Sequence, residues 1–366
     1  MRYQHVFVEG MTYALPEEVV TTEALERQLA PLYERLKLPY GRLELMTGIR
    51  ERRVWPKGEL PGDQSVRTVN KLLRETGADR NRIGSLIHAS VCRDYQEPAT
   101  ACDVHRRLEL PSRSVVHDVS NACLGLLSGI LLTANMIELG QIDSGIVVGT
   151  ETSRALMEST IEMLCSDISI TRKSLKPAFA SLTIGSGSAA VLLTNDDLTR
   201  TGNRLLGGTV LADSRYADLC RSQVDVTAGG NASGQLMQTD SEALLHAGVD
   251  AAAETFRLFQ VETGWTPESI DHTFCHQVGV AHEKLLFQRL GLDPEKNFRT
   301  FSYLGNTGSV ALPTAAAIGI EQGIVESGDK VALLGIGSGI NVVMLALEWN
   351  KTLCPEGSSP DSSPSE

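Results

Sequence analysis

The sequence predicts an α/β fold built from two similar halves. The first observation is an alternation. Apolar runs of strand length, about five to eight residues, are interleaved with helical patterns such as SVRTVNKLLRETG and ALLHAGVDAAAETFRLFQ. Alternation of this kind produces buried strands with helices packed on both sheet faces. The second is a weak repeat at a long period. ADRNRIGSLIHASVC places an apolar run, Ile83 to Val91, after an amphipathic stretch and a turn, and GWTPESIDHTFCHQVG does the same around Ile270 to Val278, 187 positions later. The third is a further pair at nearly that offset. MIELGQIDSGIVVGTE is echoed by GIEQGIVESGDKVALLGIG, with Gly149 lying 186 positions before Gly335.

Glycines after helices and β-branched runs are common, so each pair is weak alone. Their agreement in order and offset divides the chain. Residues 1–196 are expected to form one half and 205–350 the other, joined through TNDDLTRTGN. The end of the chain, residues 351–366, is rich in Ser, Pro and acid and is expected to be disordered.

Composition narrows the function. Among 366 residues 42% are hydrophobic and 21% charged, as in an ordinary globular enzyme. No run approaches the roughly 18 apolar residues of a membrane span. The start, MRYQHVFVEG, reads as a strand and not as a signal peptide, so a cytoplasmic location is expected. A net charge of −12 disfavours nucleic acid as a partner. Arg50, Arg52 and Arg53 form a local basic stretch, either a hold for a phosphorylated carrier or a solvated turn. Seven cysteines without CxxC spacing argue against a disulfide framework or a zinc site.

One cysteine stands apart. In SVVHDVSNACLGLLSGILLTANMIELG a strand pattern passes into a helix from Ala122 onward, which places Cys123 at the helix N-terminus. Unsatisfied N–H groups and the helix dipole there favour the thiolate. Gly125 and Gly129 allow other backbone to approach the helix closely. On this segment alone, a packed structural cysteine is an equal reading. His276, in FCHQVG, ends a predicted buried strand, where α/β folds place their chemistry. The other seven histidines, including His88 and His282, read as core or surface residues. Asn306 lies in the glycine-flanked turn LGNTGS; such an Asn either tolerates a left-handed backbone or aims its amide into a site. GIGSGIN follows the strand KVALL and can offer the backbone N–H groups of Ser338 and Gly339 as an oxyanion hole.

Taken in order, NACLG, CHQVG, GNTGS and GIGSG resemble the thiolase superfamily, and more narrowly its ketoacyl-carrier-protein synthase III-like branch. The resemblance covers roughly residues 1–348. It implies a five-layered α/β/α/β/α fold, a homodimer, and an acyltransferase in which Cys123 takes the acyl group. His276 and Asn306 then polarise the thioester carbonyl, and the N–H of Cys123 with that of Ser338 or Gly339 forms the oxyanion hole. Coenzyme A thioesters are substrates, and neither cofactor nor metal is implied. Degradative thiolases have a second cysteine in the C-terminal glycine loop, where this chain has Ser338, which disfavours thiolysis. Ala281 stands where synthase III enzymes often carry a carrier-docking Arg.

The segment HASVCRDYQEPATACDV is similar to a loop of the thiolases that open long-chain olefin and β-lactone biosynthesis. Those enzymes join two fatty acyl-CoAs head to head and lend a glutamate from this loop to the neighbouring subunit's site. Glu97 falls at that position. A plain acyl-CoA carries no carboxylate to lose, so a base must remove its α-proton, aided by enolate stabilisation in a dry site. Without the resemblance, Glu97 reads as an exposed residue paired with Arg93. The leading expectation is therefore non-decarboxylative Claisen condensation of two fatty acyl-CoAs to a 2-alkyl-3-ketoacyl-CoA. The alternative is a decarboxylating synthase using a malonyl thioester. A third is a non-catalytic acyl-binding protein, disfavoured by the intact Cys, His and Asn. Partners beyond the homodimer would be later enzymes of the same lipid pathway.

Overall fold

The computed structural model describes residues 1–224 and 235–353, so most of the tail expected to be disordered lies outside the described residues. From the N-terminus come β1 (Phe7–Ala14), β2 (Glu18–Thr21), α1 (Thr22–Gln28), α2 (Ala30–Leu36), α3 (Arg42–Thr47), β3 (Glu51–Val54) and α4 (Pro61–Thr76). Then follow β4 (Ser85–Ala89), α5 (Thr100–Arg107), β5 (Val115–Val119), α6 (Gly125–Glu138), β6 (Ser144–Glu151), α7 (Arg154–Ser166) and β7 (Gly187–Thr194). The rest of the chain supplies β8 (Arg204–Ala212), β9 (Cys220–Val224), β10 (Gln235–Thr239), α8 (Ser241–Thr263) and β11 (His272–Cys275). It closes with α9 (Val280–Leu290), α10 (Phe301–Leu304), α11 (Ala311–Glu321), β12 (Lys330–Gly337) and β13 (Asn341–Glu348).

The strand order repeats. In the sheet β11-β12-β13-β8-β1-β7-β6-β4-β5, one run is β1-β7-β6-β4-β5 and the other β8-β13-β12-β11. In each run the first two pairings are antiparallel and the rest parallel. The counterpart of β5 has shrunk to a single parallel bridge, Thr273 to Asn297. The two runs touch where Phe7 pairs with Arg204.

Side-chain alternation along the strands separates the layers. Ile146 and Val148 of β6 pack with Val69 and Leu72 of α4 and with Val104 of α5. Val147, between them, faces the opposite way, toward Leu127 and Ile130 of α6 and Ala315 of α11. In the second run, Val331 and Leu333 of β12 meet that same central layer. Ala332 and Leu334 turn outward to Phe256 and Phe259 of α8 and Leu286 of α9. The order is therefore helix, sheet, helix, sheet, helix: five layers, with α6 and α11 in the middle. A helix apolar all round belongs inside, and Ala311 through Ile320 of α11 are all buried. The outer helices show ordinary stop and start signals. Pro61 opens α4 and Gly77, at φ 59°, closes it; the Asp240 carboxylate accepts the Ala243 N–H at the head of α8.

Gly125 and Gly129 act as expected. A Cβ on Gly129 would lie 2.5 Å from Val147 Cγ1, and one on Gly125 would lie 3.2 Å from the Ala89 carbonyl. The absence of these side chains lets α6 settle directly on β4 and β6, which seats its N-terminus beside the strand ends.

Candidate active site

Cys123 lies in the turn between β5 and α6. The helix starts at Gly125 and not at Ala122, because Ala122 takes a left-handed φ of 45°. For a residue with a Cβ this costs on the order of 1–2 kcal/mol, and it turns the chain sharply so that Cys123 faces a cavity. That cavity has a volume of about 560 Å³ and is lined by Cys123, His276, Asn306 and Ser338. Most of the remaining wall is apolar, including Leu43 and Met46 of α3, Leu156, Phe179, Met237 and Leu244.

The N–H groups of Cys123 and Ser338 both reach the Cys123 sulfur and favour its anion. The turn carrying Ser338 is tied to the nucleophile's turn, since Asn341 Nδ2 donates to Asn121 Oδ1 at 3.1 Å and Asn121 Nδ2 donates to Ser128 at 2.9 Å. Of the two donors considered from this loop, Ser338 lines the cavity; Gly339 is not among its lining residues. The surroundings work against the expected thiolate. Burial pushes the thiol up to about 12, with the Glu151 carboxylate and Cys220 adding to the effect, and the two N–H groups do not offset it.

His276 follows β11 directly, its N–H bonded to Leu334 O at 3.2 Å. The side chain is buried, and burial, with His282 nearby, pushes its pKa down to about 3. The ring is neutral at ordinary pH, so it can donate one hydrogen bond without bringing a charge. Asn306 is clamped by its backbone, with its N–H on Thr183 O and its carbonyl accepting the Gly185 N–H, both at 2.9 Å. Its Oδ1 accepts the Gly308 N–H at 3.0 Å, which leaves the Nδ2 amide as a donor at the cavity. The left-handed residues of this turn are Gly305 and Gly308, not Asn306. Gln277 joins the two segments. Its Oε1 accepts the N–H groups of Thr300 and Phe301 at 2.8 and 3.2 Å, fixing the short helix that leads into Asn306.

Glu97 is exposed and does not line the cavity of its own chain. Among the described residues no ion pair joins it to Arg93. The basic stretch disperses. Arg52 is buried, donating to Thr22 Oγ1 and to the carbonyls of Val20 and Leu182, and Arg53 donates to Pro16 O, so Arg52 offers nothing to a phosphate. Two cavity residues carry no local sequence signal. Glu151 ends a strand as an ordinary GTE, and His282 looks like a surface residue of α9, yet both line the cavity.

Two family models match the chain: Thiolase, N-terminal domain, over residues 59–176, and 3-oxoacyl-[acyl-carrier-protein] synthase III C terminal over residues 261–349. The acyl-CoA:acyl-CoA alkyltransferase of Shewanella oneidensis is 41% identical over 95% of this chain and all of that protein. That of Xanthomonas campestris is 32% identical with the same coverage. A crystal structure of a cysteine-to-serine variant of Xanthomonas campestris OleA, with bound lauric acid and lauroyl-CoA, superposes with a TM-score of 0.88 over 95% of this chain and all of that one, at 32% identity. Other structures of that protein alter one glutamate or one histidine. The chain belongs to the thiolase superfamily, as an acyltransferase of the acyl-CoA:acyl-CoA alkyltransferase family that includes OleA.

Proposed function

We propose that this chain condenses two fatty acyl-CoAs head to head, without decarboxylation, through an acyl-enzyme on Cys123. The observation that carries the reading is convergence. Two backbone donors at Cys123, a neutral imidazole and a primary amide share one apolar cavity, and no Arg or Lys is among its described lining residues to favour a free carboxylate.

In the first step Cys123 sulfur attacks the thioester carbonyl. The developing oxyanion lies on the N–H groups of Cys123 and Ser338. The thiol proton leaves with the coenzyme A sulfur, which suits a thiol whose own pKa is high. In the second step a base takes the α-proton of another acyl-CoA. His276 and the Asn306 amide bind the resulting enolate oxygen, and its carbon attacks the acyl-Cys123 carbonyl. Cys123 departs and recovers its proton. The products are one 2-alkyl-3-ketoacyl-CoA and one coenzyme A.

Glu97 of the neighbouring subunit is the base in this reading. Its exposure in the protomer suits a residue that works across a homodimer interface. The cysteine and the glutamate altered in the Xanthomonas structures stand 26 positions apart, the separation of Cys123 and Glu97 here.

The test is to supply one long-chain acyl-CoA and no malonyl thioester. The expected result is a branched 3-ketoacyl-CoA with one coenzyme A released per product. Formation of product only when a malonyl thioester is added, with release of carbon dioxide, would replace this reading by the decarboxylating one.

A further inference from the structure

Glu151 ends β6 at 4% exposure, close enough to Cys123 and Cys92 to raise both thiol pKa values. Among the described residues it forms no ion pair, so its charge is held by hydrogen bonds alone. Oε1 accepts the N–H of Val91 at 3.0 Å and that of Ser309 at 3.3 Å, and it also accepts the Ser309 hydroxyl. Oε2 accepts the Cys92 N–H at 3.3 Å. A carboxylate with three N–H donors and one O–H donor is a strong clamp, because bonds to an ionised acceptor are shorter and stronger than neutral ones. Losing it would take the acceptor from the Val91 and Ser309 N–H groups in a closed environment, while the Cys92 N–H would keep Ser90 Oγ at 3.0 Å.

The two ends of the clamp matter. Val91 and Cys92 begin the loop that carries Glu97, and Ser309 stands three residues after Asn306. The packing leaves no slack on the second side. Gly308 has φ 57°, and a Cβ there would lie 3.2 Å from the carboxyl carbon of Glu151. We propose that Glu151 is the positioning residue that locks the Glu97 loop to the Asn306 turn, so that carbon–carbon bond formation depends on it more than acylation does. This rests on the reading of Glu97 and Asn306 given above. Two effects separate here: the carboxylate's reach sets geometry, and its charge adds to the burial that raises the Cys123 thiol pKa. The other ionisable groups lining the cavity are Cys92, Cys220, His276 and His282; after burial itself, Glu151 is the largest contributor to the raised Cys123 pKa, ahead of Cys220.

The experiment uses the full chain and one long-chain acyl-CoA. Acylation of Cys123 is followed by intact mass, condensation from preformed acyl-enzyme by product formation, and thiol ionisation by the pH dependence of alkylation of Cys123. Glu151→Gln keeps the shape and removes the charge. It should lower condensation at least tenfold relative to acylation and move the alkylation curve to lower pH. Glu151→Asp keeps the charge but is one methylene short of spanning both loops; condensation should fall while the curve stays. Ser309→Ala removes one donor and should lower condensation several-fold with the curve unmoved; it carries the test if the Glu151 variants do not fold. Equal losses in acylation and condensation, or no loss in either, overturn the inference. A wild-type enzyme that forms no acyl adduct on Cys123 would instead remove the reading beneath it.

Discussion

The backbone N–H of Ser338 reaches the sulfur of Cys123 from the turn between β12 and β13. The Asn341–Asn121 side-chain bond at 3.1 Å fixes that approach. Donors aimed in advance at the point where charge develops need no rearrangement during the reaction. The same pair is also the start of the first test.

Cys123→Ser should fold with an unchanged melting temperature and show no acyl adduct by intact mass after exposure to acyl-CoA. In the wild type, burial holds the Cys123 thiol at about 12, so it is almost entirely protonated at neutral pH. Iodoacetamide at pH 7 should therefore label the exposed Cys102 before Cys123, as read by peptide mapping. Faster labelling of Cys123 would show that the helix N-terminus outweighs burial.

His276→Ala and Asn306→Ala should each lower condensation by 10²-fold or more, and acylation of Cys123 by much less, so that acyl-enzyme accumulates. Single-turnover kinetics separate the two steps. Small, equal effects on both steps would assign the pair to packing.

Glu97→Gln should retain acylation and lose condensation. Mixed dimers with Cys123→Ser should regain activity, because one of their two sites then has an intact Cys123 and a neighbour's Glu97. Verified mixed dimers without activity would place Glu97 in its own subunit's site, and a fully active Glu97→Gln homodimer would remove it from the chemistry.

Three histidines set an acid limit on stability. Burial pushes His88 and His282 down to about 4 and His276 to about 3, from 6.5. Each binds its proton more readily in the unfolded chain. The stability each contributes is complete above about 6.5 and is lost as pH falls toward those lower values. The slope is up to about 1.4 kcal/mol per pH unit for each group. Denaturant titrations between pH 7 and pH 4 should show it, and His276→Asn should reduce the slope by about one proton.

Gly248, inside α8, lines the cavity, and a Cβ there would sit 3.3 Å from Ile336 Cγ2. Gly248→Ala should gain up to about 1 kcal/mol in helix propensity, less what Ile336 must yield. It should also shift preference toward shorter acyl-CoAs in a competition assay, since the added methyl narrows the wall.

Much of this was legible in the sequence, and the unread parts share a cause. Strand and helix positions follow from apolar periodicity, and the repeat in sequence reappears as a repeat in strand order. Cys123, His276 and Asn306 each lie in a local pattern of turn and element end, so each could be named before the fold. Glu151 could not, because its partners are residues 91, 92 and 309, which come together only after folding. His282 escapes notice in the sequence for the same reason. Arg52 misled in the other direction. It looks like a surface charge, but its guanidinium spends itself on carbonyls inside the protein. The start of α6 lies at Gly125 and not at Ala122, because helix-forming residue types do not reveal that Ala122 is left-handed.

The division of the site between the two strand runs bears on how the protein matures. Cys123 follows a strand of the first run, and His276, Asn306 and Ser338 belong to the second. During synthesis the cysteine therefore exists before any of its chemical partners. On the reading proposed above, an unfinished chain has a bare thiol with neither an oxyanion hole nor an enolate cradle. It can neither capture an acyl group efficiently nor spill one to water. Competence arrives only when the second run has docked, which makes activity itself a report on completed folding.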